Sequence, residues 1–201
     1  MEYYLCVLDF EATCWESGEN RDQMEIIEFP SVLYKINETT NTTEFIGEFA
    51  KYVKPTTNPT LTKFCTELTG ITQKQVDSAD TIGKVYKEHI AWLDANVPAG
   101  ANFVIATCGH WDLRTQLVRE IANKKLKKHK YYSNYINVKD EFEYFYQTKT
   151  SGMPSMLKTL LLPLEGRHHS GIDDTRNIAK IMLKIISHGH KFSNFYFNYV
   201  K

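Results

Sequence analysis

The 201-residue sequence has no excess of charge of either sign, since 24 lysines and arginines balance 24 aspartates and glutamates. Proteins that grip nucleic acid through bulk positive charge are basic, so that mode is excluded. A polyanionic ligand must be met here by a local patch or by bound cations. Cysteine is sparse, and Cys6, Cys14, Cys65 and Cys108 form no C-x-x-C pair and no tight Cys/His cluster of the kind that holds zinc. No apolar run is long enough to cross a membrane. The opening MEYYLCVLDFEATC lacks the basic flank and long apolar core of a secretory signal. Internal repeats, low-complexity blocks and long linkers are missing too. These absences lead us to expect one domain over residues 1–201, soluble and intracellular, in cytoplasm or nucleus, with reduced thiols. The sequons at Asn37 and Asn41 then read as chance matches in a polar turn. Nothing resembles the G-x-S-x-G elbow that a serine hydrolase built on Ser170 and His169 would need.

What is present is ordered. YYLCVLDF (3–10) is a nearly continuous apolar run and reads as a central strand covered on both faces. EIIEFPSVLYKI (25–36) and EFIGEFAKYV (44–53) follow as strands separated by the turn NETTNTT, giving an antiparallel meander. Ile82, Val85, Tyr86, His89, Ile90 and Leu93 then mark one face of a helix. NFVIAT (102–107) and YINV (135–138) are short strands. DLRTQLVREIANKK (112–125), SMLKTLLLPL (155–164) and DDTRNIAKIMLKIIS (173–187) are helices. Strands first, then alternation, predicts an α/β fold with a mixed five-stranded sheet flanked by helices. The basic run KKLKKHK (124–130) reads as a solvated helix end rather than a nucleic-acid patch.

Carboxylates are the anomaly. Asp9 and Glu11 alternate at the end of the buried strand and so point to one face. Two unpaired carboxylates side by side repel each other and require positive charge between them. In GRHHSGIDDTRNIAKIML, Asp174 precedes Ile178 and Ile181 by one and two turns and faces the core. Asp173 is rotated away and suits a helix N-cap. Periodicity leaves the choice between His168 and His169 open. Asp112 opens a helix just after a strand. Four hard oxygen donors suit magnesium or manganese rather than zinc. Two such ions about 4 Å apart can clamp the attacking and leaving oxygens of a phosphodiester. A histidine, with its ordinary pKa of about 6.5, can take the proton from the attacking water.

These residues carry a resemblance. DFEATC, EIIEFP, FCTELTGIT, WDL and H-S-G-I-D-D occur in the order seen in DEDDh-type 3′–5′ exonucleases, with wording nearest the histone-mRNA exonuclease and enhancer-of-RNAi group, over about residues 3–187. The resemblance implies an RNase H-like fold. It implies metal-dependent hydrolysis from the 3′ end of nucleic acid, RNA before DNA and single-stranded, releasing nucleoside 5′-monophosphates. Two Mg2+ ions, replaceable by Mn2+, would sit on Asp9, Glu11, Asp112 and Asp174. His169, five residues before the last aspartate, matches the general base and leaves His168 as a neighbour. Trp111 and the segment from Phe64 to Leu68 match positions that pack on terminal nucleotides, and the backbone at Ala12 and Thr13 should meet the 3′ hydroxyl. His110 departs from the pattern, standing where relatives often carry an acid. An N-terminal nucleic-acid-binding domain of the kind some relatives carry is not seen, so recognition of a special RNA hairpin is not expected.

Overall fold

The computed structural model describes residues 1–192 and the backbone of residues 198–199. Its elements run β1 (Glu2–Leu8), β2 (Glu11–Ala12), β3 (Ile26–Asn37), β4 (Thr42–Lys54), α1 (Lys63–Thr69), α2 (Gln73–Asp77), β5 (Asp80–Thr81) and α3 (Ile82–Asn96). After these come β6 (Phe103–Thr107), a π-helical turn over Trp111–Gln116, α4 (Leu117–Asn123), β7 (Asn134–Asn137), α5 (Val138–Tyr146), α6 (Met153–Thr159), α7 (Gly171–Ser187) and β8 (Asn198–Tyr199). Five strands form the expected mixed sheet in the order β4-β3-β1-β6-β7, and the two-residue pieces β2, β5 and β8 add to it. The β1–β3 and β3–β4 pairs are antiparallel, whereas β1–β6 and β6–β7 are parallel.

Residue parity along β1 decides what each face of the sheet buries. Tyr4, Cys6 and Leu8 join the core under α3 and α4, with Val85, Leu93, Leu113 and Leu117. Tyr3, Leu5 and Val7 join the core under α6 and α7, with Met156, Ile178, Ile181 and Ile185. A strand covered on both faces must be apolar at every position, which accounts for the unbroken run. By the same parity Asp9 and Glu11 follow Leu5 and Val7 toward the α7 side.

The first strand is shorter than the sequence suggests, and the reason lies in its neighbour. Pairing with β3 stops at Leu8 opposite Ser31 and resumes with Glu11 opposite Glu28. Pro30 lies in between and has no N–H to offer the ladder. The ladder therefore opens at Asp9 and Phe10, just where the first carboxylate stands.

Two helices also differ from expectation. The 112–125 helix opens with a π turn in which Leu117 N–H reaches Asp112 O, and it ends at Asn123. The 155–164 helix runs instead from Met153 to Thr159. Leu162 N–H bonds Leu157 O at 2.9 Å and Leu161 N–H bonds Lys158 O at 3.2 Å, with Leu161 left-handed at φ 56°. This is a Schellman stop, forced because the residue before Pro163 is excluded from helix. Glycine usually fills that left-handed place, and a leucine there costs about 1–2 kcal/mol. Leu161 is also 91% exposed. Leu161→Gly should therefore raise the free energy of unfolding by about 1 kcal/mol in urea titration; a loss of stability would show that the stop depends on that side chain.

Candidate active site

Three carboxylates meet where β1 breaks. Ligand oxygens of Asp9, Glu11 and Asp174 lie within 4.8 Å of one another. Asp174 is brought in by α7, whose apolar residues Ile178, Ile181 and Ile185 turn that face onto the sheet. Glu11 and Asp174 are buried and Asp9 is partly so. Asp112 approaches from the opposite core on the π turn and is buried. Its Oδ1 accepts the Phe10 N–H at 2.9 Å, on the β6 side of the first strand. Asp112 therefore faces the break in β1 but is not within the tightest triple of oxygens.

The electrostatics follow from burial and crowding. Desolvation, then the charges of Asp112, Glu11, Asp174 and Glu28, push the Asp9 carboxyl far above its ordinary range. Burial, then Glu28 and the aspartates, push Glu11 up to about 9. Burial lifts Asp112 to about 6 against the opposing Phe10 N–H. Asp174 is raised by burial although the His169 N–H bonds its Oδ2 at 2.8 Å. Its Oδ1 is buried with no hydrogen-bond partner among the described residues. A set of crowded hard oxygens, one of them orphaned, fits a divalent cation of the magnesium class.

Sequence reasoning missed Glu28. It is buried near the start of β3, and its two oxygens accept the N–H groups of Gly171 and Ile172 at 3.0 and 3.2 Å. It thus caps α7 from another strand, and a Cβ at Gly171 would stand 2.9 Å from its oxygen. Asp173 is consequently not the N-cap. Ser170 holds that position without a side-chain bond, and Asp173 instead accepts the Arg167 N–H at 3.0 Å. The signal was available, because a glutamate inside an apolar strand is the same anomaly as Asp9.

The histidine loop is latched to α1. Arg167 Nη2 donates to the carbonyls of Glu67 and Leu68 at the end of that helix. Gly70, left-handed at φ 77°, leaves the space, since a Cβ there would lie 1.7 Å from Arg167 Nη1. Two residues on, His169 is itself left-handed at φ 67°, and its imidazole stacks on that of His168 with centroids 3.9 Å apart. Burial, then His168 and Arg167, lower the His169 pKa. His168 is more intimate with the acids than its reading as a neighbour implies, with Nε2 3.8 Å from Asp174 Oδ2.

Trp111 and Phe64 line a cleft of about 380 Å³ together with Cys14, Trp15 and Met24. Both are partly exposed, as is Leu68 one turn beyond Phe64. The loop forming its outer wall is held by Gln116 and Arg119, which donate to the carbonyls of Met24 and Arg21. Trp15 belongs to this wall and was not singled out from sequence. Ala12 and Thr13, which precede Cys14 in the chain, are both buried. The Thr13 N–H and hydroxyl are already engaged with Glu25, at 2.9 Å each. His110 turns away from the acids toward Tyr135 OH at 2.7 Å and Asp140 at 3.6 Å.

The exonuclease family profile RNase_T matches residues 6–182. The chain is 38% identical over 189 residues to "3'-5' exoribonuclease 1" of Mus musculus, covering 92% of this chain and 54% of that protein. It is 35% identical over 202 residues to "ERI1 exoribonuclease 2" of Xenopus laevis, covering 92% and 29%. The chain therefore spans about half, or less, of the length of these relatives. A solved structure described as the nuclease domain of 3'hExo, a DEDDh family member, bound to rAMP, superposes with a TM-score of 0.88 at 34% identity, over 99% of this chain and 98% of that one.

The crowding predicts a pH response in chelated protein. Folded Glu11 keeps its proton to about 9, whereas an unfolded glutamate releases it near 4.3. The unfolded state then binds fewer protons across that window, so metal-free stability should fall as pH rises through it. Mg2+ should restore the loss and raise Tm; a Tm indifferent to both pH and Mg2+ would contradict the crowding. The latch predicts non-additivity: Arg167→Ala and Gly70→Ala should each lower Tm, and together cost clearly less than their sum, because both break one contact.

Proposed function

Because the chain belongs to the exonuclease family whose profile and backbone it matches, we propose that it is a metal-dependent 3′–5′ exoribonuclease that shortens single-stranded RNA and releases nucleoside 5′-monophosphates. The observation that carries this reading is the meeting of Asp9, Glu11 and Asp174 beside His169, next to the cleft of Phe64 and Trp111. Asp9, Glu11, Asp112 and Asp174 would hold two Mg2+ ions, with Mn2+ an effective substitute. When bound, these ions supply positive charge to the scissile phosphate.

The chain's own residues do the rest. Trp111 and Phe64 stack on a terminal base without demanding a sequence. Leu68 and the backbone of Ala12 and Thr13 would meet the terminal nucleotide and its 3′ hydroxyl. His169 takes the proton of the attacking water on an imidazole nitrogen. Its lowered pKa keeps it neutral and ready to accept at neutral pH. Asp174 fixes the histidine backbone through the His169 N–H. RNA is favoured over DNA as substrate, in an intracellular compartment that keeps the four free cysteines reduced.

Incubation with 5′-labelled single-stranded RNA and Mg2+ should produce a ladder shortening from the 3′ end. A 3′ phosphate or chelator should stop it and a 5′ block should not. Matched DNA should be cut more slowly, and equal or faster cutting of DNA would reverse the substrate preference. No cleavage of either polymer under any divalent cation would sink the reading. His169→Ala should lower the rate by about 10²–10⁴-fold, while His168→Ala stays within a small factor. Trp111→Ala should weaken RNA binding by about 1–3 kcal/mol; unchanged binding in a merely less stable variant would assign Trp111 to the core.

A further inference from the structure

The two neighbouring histidines form a second constellation on the same aspartate. One nitrogen from each of His168 and His169 and one oxygen of Asp174 all lie within 4.8 Å of one another. Side chains of consecutive residues in an extended chain diverge. Here the left-handed backbone of His169 brings both rings to one side, where they stack at 21°. Asp174 is 4% exposed; its Oδ2, which faces His168, accepts the His169 N–H at 2.8 Å, and its Oδ1 is buried with no hydrogen-bond partner among the described residues. We propose that His168, His169 and Asp174 form a binding site for a borderline-soft divalent cation, Zn2+ above all, whose occupancy silences the enzyme.

Ligand chemistry separates this site from the one on the acids. Mg2+ prefers oxygen donors, whereas two imidazoles and a carboxylate with one open position are a common zinc set. In such a tetrahedron the ligand atoms sit ~3.4 Å apart. His168 Nε2 and Asp174 Oδ2, at 3.8 Å, are nearly there. The His168 ring is exposed and free to turn the remaining distance. A cation bound here would occupy the imidazole lone pair that His169 uses to accept a proton. It would also compete for Asp174. The inhibitory consequence rests on the exonuclease reading, whereas the binding does not.

The test uses the full chain, stripped of metal. Calorimetric titration with Zn2+, and the visible absorption of Co2+ as its four-coordinate stand-in, should detect, besides uptake on the four acids, a site in wild type that His168→Ala weakens by about 10–100-fold or more. A Cys14→Ser variant should bind as wild type does, excluding a thiolate site. With saturating Mg2+ and labelled RNA, micromolar Zn2+ should inhibit wild type, and His168→Ala should need at least tenfold more. Equal zinc affinity and equal inhibition in wild type and His168→Ala would overturn the proposal, as would zinc binding lost only in Cys14→Ser. If Mg2+ supports no RNA cleavage at all, the exonuclease reading fails while calorimetry still decides the zinc site.

Discussion

Repulsion between buried carboxylates is the constraint around which this structure is arranged. Asp9, Glu11, Glu28, Asp112 and Asp174 converge at the open end of one ladder, and each raises the cost of ionising another. The fold answers with backbone N–H groups. Phe10 serves Asp112, His169 serves Asp174, and the first turn of α7 serves Glu28. A helix N-terminus also carries partial positive charge, which suits an acid aimed at it. These donors reduce the repulsion without ending it. The residue of uncompensated charge is what makes the site a trap for divalent cations.

The same donors explain the local geometry. Pro30 opens the ladder on the β3 side of β1, and on the other side the Phe10 N–H is taken by Asp112. Glu28 caps α7 and thereby fixes where Asp174 enters. Arg167 joins the loop before α7 to the helix carrying Phe64 and Leu68. The residues that would handle the base and those that would handle the proton thus share one mechanical frame. Glu25 braces the neighbouring loop. It accepts N–H groups from Thr56, Thr57 and Asn58 as well as the Lys124 ammonium, and although burial opposes it, these donors hold its pKa down to about 2.

Much of this was legible in the sequence because it is periodic. The doubly covered first strand, the antiparallel meander of the first three long strands and the inward turn of Asp174 all follow from which residues repeat at two or at 3.6. What was not legible depends on contacts between distant residues. Asp173 looked like a cap because the side chain that does cap α7, Glu28, lies 143 positions before Gly171. The break after Leu8 depends on a proline in another strand. Leu161 ends a helix in a conformation that leucine rarely adopts, so propensity pointed past it. The stacking of His168 on His169 depends on one unusual φ that no spacing reveals. Glu28 is different, since a charge in a buried strand was visible and only its partner was not.

The site draws on positions 9, 11, 28, 112 and 174, and its latch joins 70 to 167. Such separations have a meaning during synthesis. A ribosome extends the chain from its N-terminus, and domains generally fold as units. Until α7 (Gly171–Ser187) has emerged, Glu28 has no helix to cap and Asp174 is absent from the cluster. A growing chain that stops short of Asp174 therefore lacks one of the three carboxylates that converge where β1 breaks. The order of residues along the chain makes assembly of this carboxylate cluster wait for α7.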